Sequence, residues 1–270
     1  MGLPPDWLTA QWPAPAQVRA VCTTRSGGVS TGLFESMNLG EHVGDDPACV
    51  AVNRQRLATV LGVRPVFMQQ VHGTTVIDLS HLVGKGMQAD GALSTQAGLA
   101  CTVMVADCLP ILLAHRDRPV VAAAHAGWRG LAGPAGPVGI VESTLTAMAR
   151  AANCSIAELA PGLLAWLGPC IGPRAFEVGA EVRAAFLAGD PAAVACFSPS
   201  AAGKYLADLP ALARLRLLRL GVRSVYGNDG SDAWCTVRQS GFFSHRRSSG
   251  LPGAVSGQTG GRMAACIWLD

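Results

Sequence analysis

The chain has 270 residues, half of them apolar and only 14% charged, with a formal net charge of +3 at neutral pH. That much apolar material suits one large domain or two small ones and excludes a disordered chain. The slight positive charge excludes a basic nucleic-acid binder or a membrane-surface binder. Lys85 and Lys204 are the only lysines, so Schiff-base chemistry has few candidates. The nine cysteines are odd in number and scattered through apolar runs, which is the pattern of reduced thiols rather than a disulfide framework. The opening MGLPPDWL has neither a basic n-region nor a long apolar stretch, and Asp107 interrupts the longest apolar run before it reaches membrane-spanning length. The expectation is a soluble cytoplasmic protein with no membrane and no nucleic-acid partner.

Taken in order, residues 17–24 read as a first strand leading into the polar, Gly-containing segment RSGGVSTGLFESMNLG. Gly28-x-Ser30-x-Gly32 matches a nucleophile-elbow pattern, but no strand–turn–helix context surrounds it, so it reads as loop. Ser36, Asn38 and Glu41 in the same segment could line a cleft. Asp46 then caps a helix with Pro47 at its first position, running to about Leu61 and ending at Gly62. Arg54 and Arg56 lie on that helix. Residues 64–71 alternate as a strand and end at His72-Gly73, and a short strand over 74–79 precedes a Gly-rich loop at 84–89. Asp90-Gly91 introduces a strand over 92–95.

The stretch from Leu99 to Gly130 is the centre of the chain. Apolar, β-branched runs over 99–105, 111–114 and 119–124 fit strands buried on both faces. Asp107 and Cys108 follow the first run, and His125, Trp128 and Arg129 follow the last. A thiol and an imidazole at the ends of two apolar runs converge if the two strands are neighbours, and otherwise read as a buried inert cysteine and a satisfied histidine. The glycines of AHAGWRG favour a site, since they leave room for a ligand or for close backbone approach. His72 repeats the arrangement of His125, a histidine and then a small residue after an apolar run. Asp107 adjoins Cys108, so on a regular strand it points the other way, where it would orient a neighbouring loop or touch substrate.

Beyond Arg129 a Gly/Pro loop leads into an amphipathic helix. Ser155 and Glu158 form a capping box. A strand is expected over 163–167, a GPCIGP turn after it, helix in the second half of 176–187, a Leu/Arg helix over 206–220, a short strand over 223–226 and a closing strand over 263–269. Strands and helices interleave, but several connections are too short for helices, which predicts mixed sheets in a single α/β domain spanning 1–270.

The chain has no GxGxxG, P-loop, HExxH or CxxC. His72, Cys108 and His125 offer two imidazoles and a thiolate, the ligand number of a catalytic zinc with one open position. The same residues also suit a metal-free Cys108 nucleophile with a histidine base. His42, His81, His115 and His245 lie in loops or near charges, and most of them read as solvent-exposed.

The segments QVHG at 70–73, ADCLPILL at 106–113, AHAGWRG at 124–130, GPCIGPRAFEVGAEV at 168–182 and FFSHRR at 242–247 resemble the YfiH-type family. It is also called the multicopper polyphenol oxidase (laccase-domain) or peptidoglycan editing factor family. The earlier RSGGVSTG, MNLG and VGDDP segments match as well, so the resemblance covers nearly the whole chain. It implies an α/β domain with mixed sheets between helices, and zinc at His72, Cys108 and His125. It implies phosphorolysis of purine nucleosides (adenosine, inosine, guanosine and methylthioadenosine) with inorganic phosphate, plus adenosine deamination. Asn38, Arg54, Gln70, Arg129 and Arg247 sit in matching motifs as candidate substrate-binding residues. A copper-dependent oxidase is disfavoured because six histidines, several outside any common site, cannot supply a multicopper set. The editing-factor name keeps a Cys–His hydrolase acting on peptidoglycan precursors as an alternative. Pro134 and Pro137 stiffen the loop after AHAGWRG, and the run from Ser248 to Arg262 is longer than is usual in the family. No motif encodes the oligomeric state.

Overall fold

The computed structural model describes residues 3–81, 86–133, 136, 138–201, 203–250 and 260–270. Lys85, Pro134, Pro137, the start of the Gly-rich loop at 84–89 and most of the long run before Arg262 lie outside the described residues. The first half contains β1 (Leu8–Thr9), β2 (Val18–Cys22), α1 (Pro47–Leu61), β3 (Arg64–Val66), β4 (Val76–Asp78), β5 (Gly91–Ser94), β6 (Leu99–Val105), β7 (Leu109–His115) and β8 (Val121–Ala126). Next come α2 (Trp128–Ala132), α3 (Ile140–Ala151), α4 (Ile156–Leu159), β9 (Leu163–Leu167), β10 (Glu177–Gly179) and α5 (Ala180–Gly189). The chain closes with β11 (Phe197–Pro199), β12 (Lys204–Ala207), α6 (Leu209–Arg219), β13 (Ser224–Gly227), α7 (His245–Ser249) and β14 (Met263–Leu269).

The strands form a five-stranded sheet in the order β1-β2-β14-β6-β3, a six-stranded sheet in the order β13-β9-β7-β8-β5-β4, and a small β10-β12-β11 sheet. The pairs β3/β6, β4/β5 and β9/β13 are parallel and the others antiparallel, so the sheets are mixed, as the short connections required. Strand alternation sorts the side chains into layers. Leu112 and Ala114 of β7 pack with Cys101, Val103, Ala265 and Ile267 between the two large sheets. Leu109, Ile111 and Leu113 of the same strand turn outward onto Ile140, Leu145 and Met148 of α3 and Leu212 and Leu217 of α6. Leu57 and Leu61 of α1 cover Ala100, Ala264 and Cys266 on the far face of the five-stranded sheet. The result is helix, sheet, sheet, helix, with each fully buried Leu worth about 1.5–3 kcal/mol over exposure. No helix among the described residues is long and apolar enough to cross a membrane.

The six-stranded and five-stranded sheets are joined at one point that matters for chemistry. β6 belongs to one and β7 to the other, and only residues 106–108 connect them. Asp107 makes this turn with a φ of +92°, so it is not part of a regular strand and does not point simply opposite to Cys108.

Several elements differ from expectation for local reasons. The strand expected over 64–71 stops at Val66; beyond it the Gln70 carboxamide donates to Met104 O at 2.8 Å and accepts from Met104 N at 2.7 Å, replacing the main-chain ladder. The Leu/Arg helix starts at Leu209, where Asp208 accepts from Ala211 N at 2.9 Å, because the residues before it form β12. A short helix, α2, occupies what reads as loop after His125. His115 is not solvent-exposed: it ends β7 and its Nδ1 accepts the N–H groups of Asp117 and Arg118 at 3.0 and 3.1 Å. The Gly28-x-Ser30-x-Gly32 segment is loop, with Ser30 Oγ donating to Asp45 Oδ2 at 2.7 Å.

Candidate metal centre

His125 is the penultimate residue of β8, on the same side as Val121 and Ala123, which enter the core between the sheets. Antiparallel pairing sets Pro110 opposite His125 and Leu109 opposite Ala126, and that register brings Cys108 alongside Gly127. A Cβ on Gly127 would lie 2.9 Å from Cys108 Sγ and 2.9 Å from His72 Cδ2, so only glycine permits this convergence. His72 comes from the loop after Gln70 with a φ of +59°. Its Nε2 is 3.7 Å from Cys108 Sγ, and its ring meets that of His125 edge-on with centroids 4.8 Å apart. The three ligand atoms lie within 4.8 Å of one another, the one group of its kind among the described residues.

Asp90, which the sequence reading passed over, holds this group together. Its carboxylate is fully buried and accepts the backbone N–H groups of Val71 (3.2 Å), His72 (2.9 Å) and Gly73 (2.7 Å). It also accepts His125 Nδ1 at 2.8 Å. An ionised carboxylate only accepts, so Nδ1 carries the hydrogen and Nε2 is left for a metal. One side chain therefore fixes both the His125 tautomer and the left-handed backbone at His72. The available signal was a carboxylate opening a wholly buried strand, since a charge there needs partners.

The electrostatics suit a thiolate donor. Burial pushes the Cys108 thiol up, but the His125 charge and hydrogen bonds from His125 and His72 outweigh it and bring it down to about 6. Burial pulls His125 down, and the Cys108 charge and the Asp90 hydrogen bond lift it to about 9. Burial raises Asp90, yet His125 and the N–H groups of Gly73 and Val71 leave it below the ordinary carboxylate value. With two nitrogens and one thiolate converging and one side open to a cleft, the donor set fits zinc.

The cleft has a volume of about 460 Å³, within the usual range for small-molecule sites. Trp128, Ile171, Phe176 and Leu209 give it an apolar end. Arg129, Arg246 and Arg262, with His42 and His245, also line it and bring cationic groups to the same cleft. Arg129 stacks on Trp128 at 4.6 Å. Burial first, and then Arg262, hold His42 and His245 below the ordinary imidazole value, so the arginines supply the fixed charge. His42 and His245 are solvent-exposed, as expected, but both line the cleft rather than standing apart from it.

Of the residues singled out in the sequence, His72, Cys108 and His125 converge, and Gln70 and Arg129 line the same cleft. Asn38, Arg54 and Arg247 are not among its lining residues. Asn38 donates to Gly40 O and Asp45 Oδ2 and accepts from Gly40 N and Arg262 N. Arg54 donates to Leu39 O at 2.9 Å, pairs with Glu41 and lies over the Phe67 ring at 4.0 Å. Arg247 donates to the carbonyls of Thr236, Val237, Gln239 and Phe242. Successive residues of a helix point about 100° apart. Arg246 thus faces the cleft while Arg247 faces the 236–242 loop, a choice that two adjacent arginines in sequence do not reveal.

The profile of the family described as multi-copper polyphenol oxidoreductase laccase matches residues 19–270. A Pseudomonas aeruginosa protein named purine nucleoside phosphorylase PA4543 is 47% identical over 268 residues, spanning 98% of each chain. Purine nucleoside phosphorylase YfiH of Escherichia coli K12 is 44% identical over 265 residues, spanning 97% of this chain and 98% of its own. Among solved structures, protein NMB0706 of Neisseria meningitidis matches with a TM-score of 0.85 and 43% identity, covering 98% of this chain and 99% of that one. YlmD of Geobacillus stearothermophilus matches with a TM-score of 0.80 and 30% identity over 97% of this chain and 96% of its own.

Proposed function

This chain belongs to the multi-copper polyphenol oxidoreductase laccase family, and on that premise we propose that it is a cytoplasmic, zinc-dependent purine nucleoside phosphorylase with adenosine deaminase activity. The observation that carries the reading is the His72–Cys108–His125 group opening on a cleft lined by both apolar side chains and three arginines. His72 Nε2, Cys108 Sγ and His125 Nε2 would hold the metal, with Asp90 orienting His125. Zinc, when bound there, supplies Lewis-acid chemistry at its cleft-facing position.

The chain's own residues divide the work of phosphorolysis. The purine lies against Trp128, Ile171, Phe176 and Leu209, whose apolar surfaces accept either a 6-amino or a 6-oxo base. Arg129, Arg246 and Arg262 bind phosphate, because guanidinium groups match its oxygens in charge and geometry. Held between them, the anomeric carbon forms a bond to a phosphate oxygen as its bond to the base nitrogen breaks. The base leaves with that electron pair and takes up, directly or through solvent, the proton that the attacking hydrogen phosphate gives up. Gln70, with both ends of its carboxamide on Met104, sets the wall behind the ribose. Asn38, Arg54 and Arg247 support the site from outside the cleft by fixing the segments around it.

Copper oxidase chemistry is not favoured, although the family description invokes it. His81 lies in an exposed turn beside Asp78, and His115 stands at the end of β7 away from Cys108, so neither joins the His–Cys–His group. The test is product analysis of adenosine incubated with the zinc-loaded protein. Adenine and ribose 1-phosphate formed only with phosphate, and inosine formed without it, support the reading. No product under either condition, with activity instead on cell-wall amides that alkylation of metal-free protein abolishes, would replace it with the Cys108 hydrolase.

A further inference from the structure

We propose, resting on the phosphorolysis reading above, that Asp107 is the positioning residue that sets Arg246 against the His–Cys–His centre and so governs phosphate binding. It sits in the turn that carries Cys108, and its contacts lead away from the metal-type donors. Its carbonyl accepts Ile171 N at 2.9 Å. One carboxylate oxygen accepts Thr236 Oγ1 at 2.6 Å and the other accepts Arg246 N at 2.6 Å. Each oxygen thus faces a protein donor, so a negative group can stand in an anion site without repelling the anion outright.

The bond to Arg246 N is the informative one. That N–H lies in the first turn of α7, where a helix provides no partner of its own. Ser244 Oγ accepts the next one, Arg247 N, at 3.1 Å. Asp107 takes the N–H that Ser244 leaves, through a charge-assisted bond of the stronger kind. α7 carries His245 and Arg246 to the cleft, while Arg247 ties it to four carbonyls of the 236–242 segment, the segment that also holds Thr236. The helix and the segment form one piece, and Asp107 ties that piece at two points to the turn bearing Cys108. Loss of the carboxylate frees the phosphate-binding arginine while His72, Cys108, His125 and Asp90 keep their own bonds.

Three variants test this. Asp107→Gly removes the carboxylate and suits the backbone at φ +92°, where alanine would be strained. Asp107→Asn keeps an acceptor for Arg246 N and can donate to Thr236 Oγ1. Thr236→Val removes one bond alone. Phosphate KM, nucleoside KM, zinc content and amide exchange at residues 245–247 are measured for each. Asp107→Gly is expected to raise phosphate KM about tenfold or more, to leave nucleoside KM within about twofold, to keep zinc and to lose protection at Arg246 N. Asp107→Asn recovers most of the loss, and Thr236→Val shows a rise of about threefold. An unchanged phosphate KM in Asp107→Gly, equal rises for both substrates, or loss of zinc would overturn the proposal. If Asp107→Gly does not fold, an unchanged phosphate KM in Thr236→Val overturns it. If the parent protein turns over no nucleoside, the phosphorylase reading falls. Calorimetric binding of inorganic phosphate to the same zinc-loaded proteins then decides the role of Asp107, with equal affinities overturning it.

Discussion

The two walls of the cleft are held in place by different means. The His72–Cys108–His125 side hangs on β7 and β8 in mid-sheet, and on a buried carboxylate that takes three consecutive backbone N–H groups and an imidazole. The Arg246 side hangs on a one-turn helix fastened by side-chain bonds from Asp107, Ser244 and Arg247. The contrast follows from what each wall must do. On the proposed function, metal ligands must be held to within tenths of an ångström, and here β8 carries His125 while Asp90 pins the His72 loop to it. Guanidinium groups on long stems reach an anion from a range of positions, so a lighter scaffold is enough.

The largest effect should come from breaking the stiff wall at its donors. His72→Ala and His125→Ala are each expected to lose bound zinc and to lower phosphate-dependent adenine release by more than the ~100-fold that an outlying partner can cost. Elemental analysis and product assay on one sample check both losses, and variants that keep zinc and full turnover would remove these residues from the ligand set. Next comes the carboxylate behind the donors. Asp90→Ala should weaken zinc affinity about 10–100-fold in chelator competition. Affinity equal to the parent's would mean that the strands alone place His125 and His72.

Thiol reactivity sharpens the comparison without any variant. In metal-free protein, iodoacetamide should label Cys108 with a rate that rises through pH of about 6 and levels off above it, since the thiolate is the nucleophile. Burial pushes Cys22, Cys101 and Cys266 upward, so these should stay unlabelled near neutrality, and zinc should protect Cys108. Peptide mapping that finds Cys108 no more reactive than these three would contradict the electrostatic account. The smallest effects belong to the supports outside the cleft. Arg54→Ala should lower unfolding stability by about 1–2 kcal/mol, through its bond to Leu39 O and its stacking on Phe67, with kinetic constants within about twofold. A large rise in phosphate KM without loss of stability would instead bring Arg54 into the site.

Much of the stiff wall was legible in the sequence, because strand alternation and apolar runs are local signals. They located β6, β7 and β8, and the His–Gly and Asp–Cys motifs marked the strand ends where donors collect. The Asp46 cap, the Ser155–Glu158 box and the mixed sheets followed from the same kind of local chemistry. Asp90 escaped because its partners come from a loop and a strand remote in sequence, and nothing next to it announces them. The cationic groups of the cleft were harder to read. Arg247 stood out by motif, but the turn of α7 sends Arg246 to the cleft and Arg247 into the loop. His42 and His245 are surface histidines, as they read, but that they face one cleft depends on segments far apart in the chain. Asp107 was left between two roles until the left-handed turn at that position showed which way its carboxylate goes.

The most direct test of the central claim is stepwise addition of zinc to chelator-stripped protein, with phosphate-dependent adenine release followed at each step. The account predicts negligible turnover at the start and a linear rise that levels off at about one zinc per chain, as three protein donors at one site require. The same titration of Cys108→Ser should fall well short of that plateau. Full activity in the stripped protein, or none after zinc is restored, would contradict the assignment of His72, Cys108 and His125 as the metal centre of a nucleoside phosphorylase.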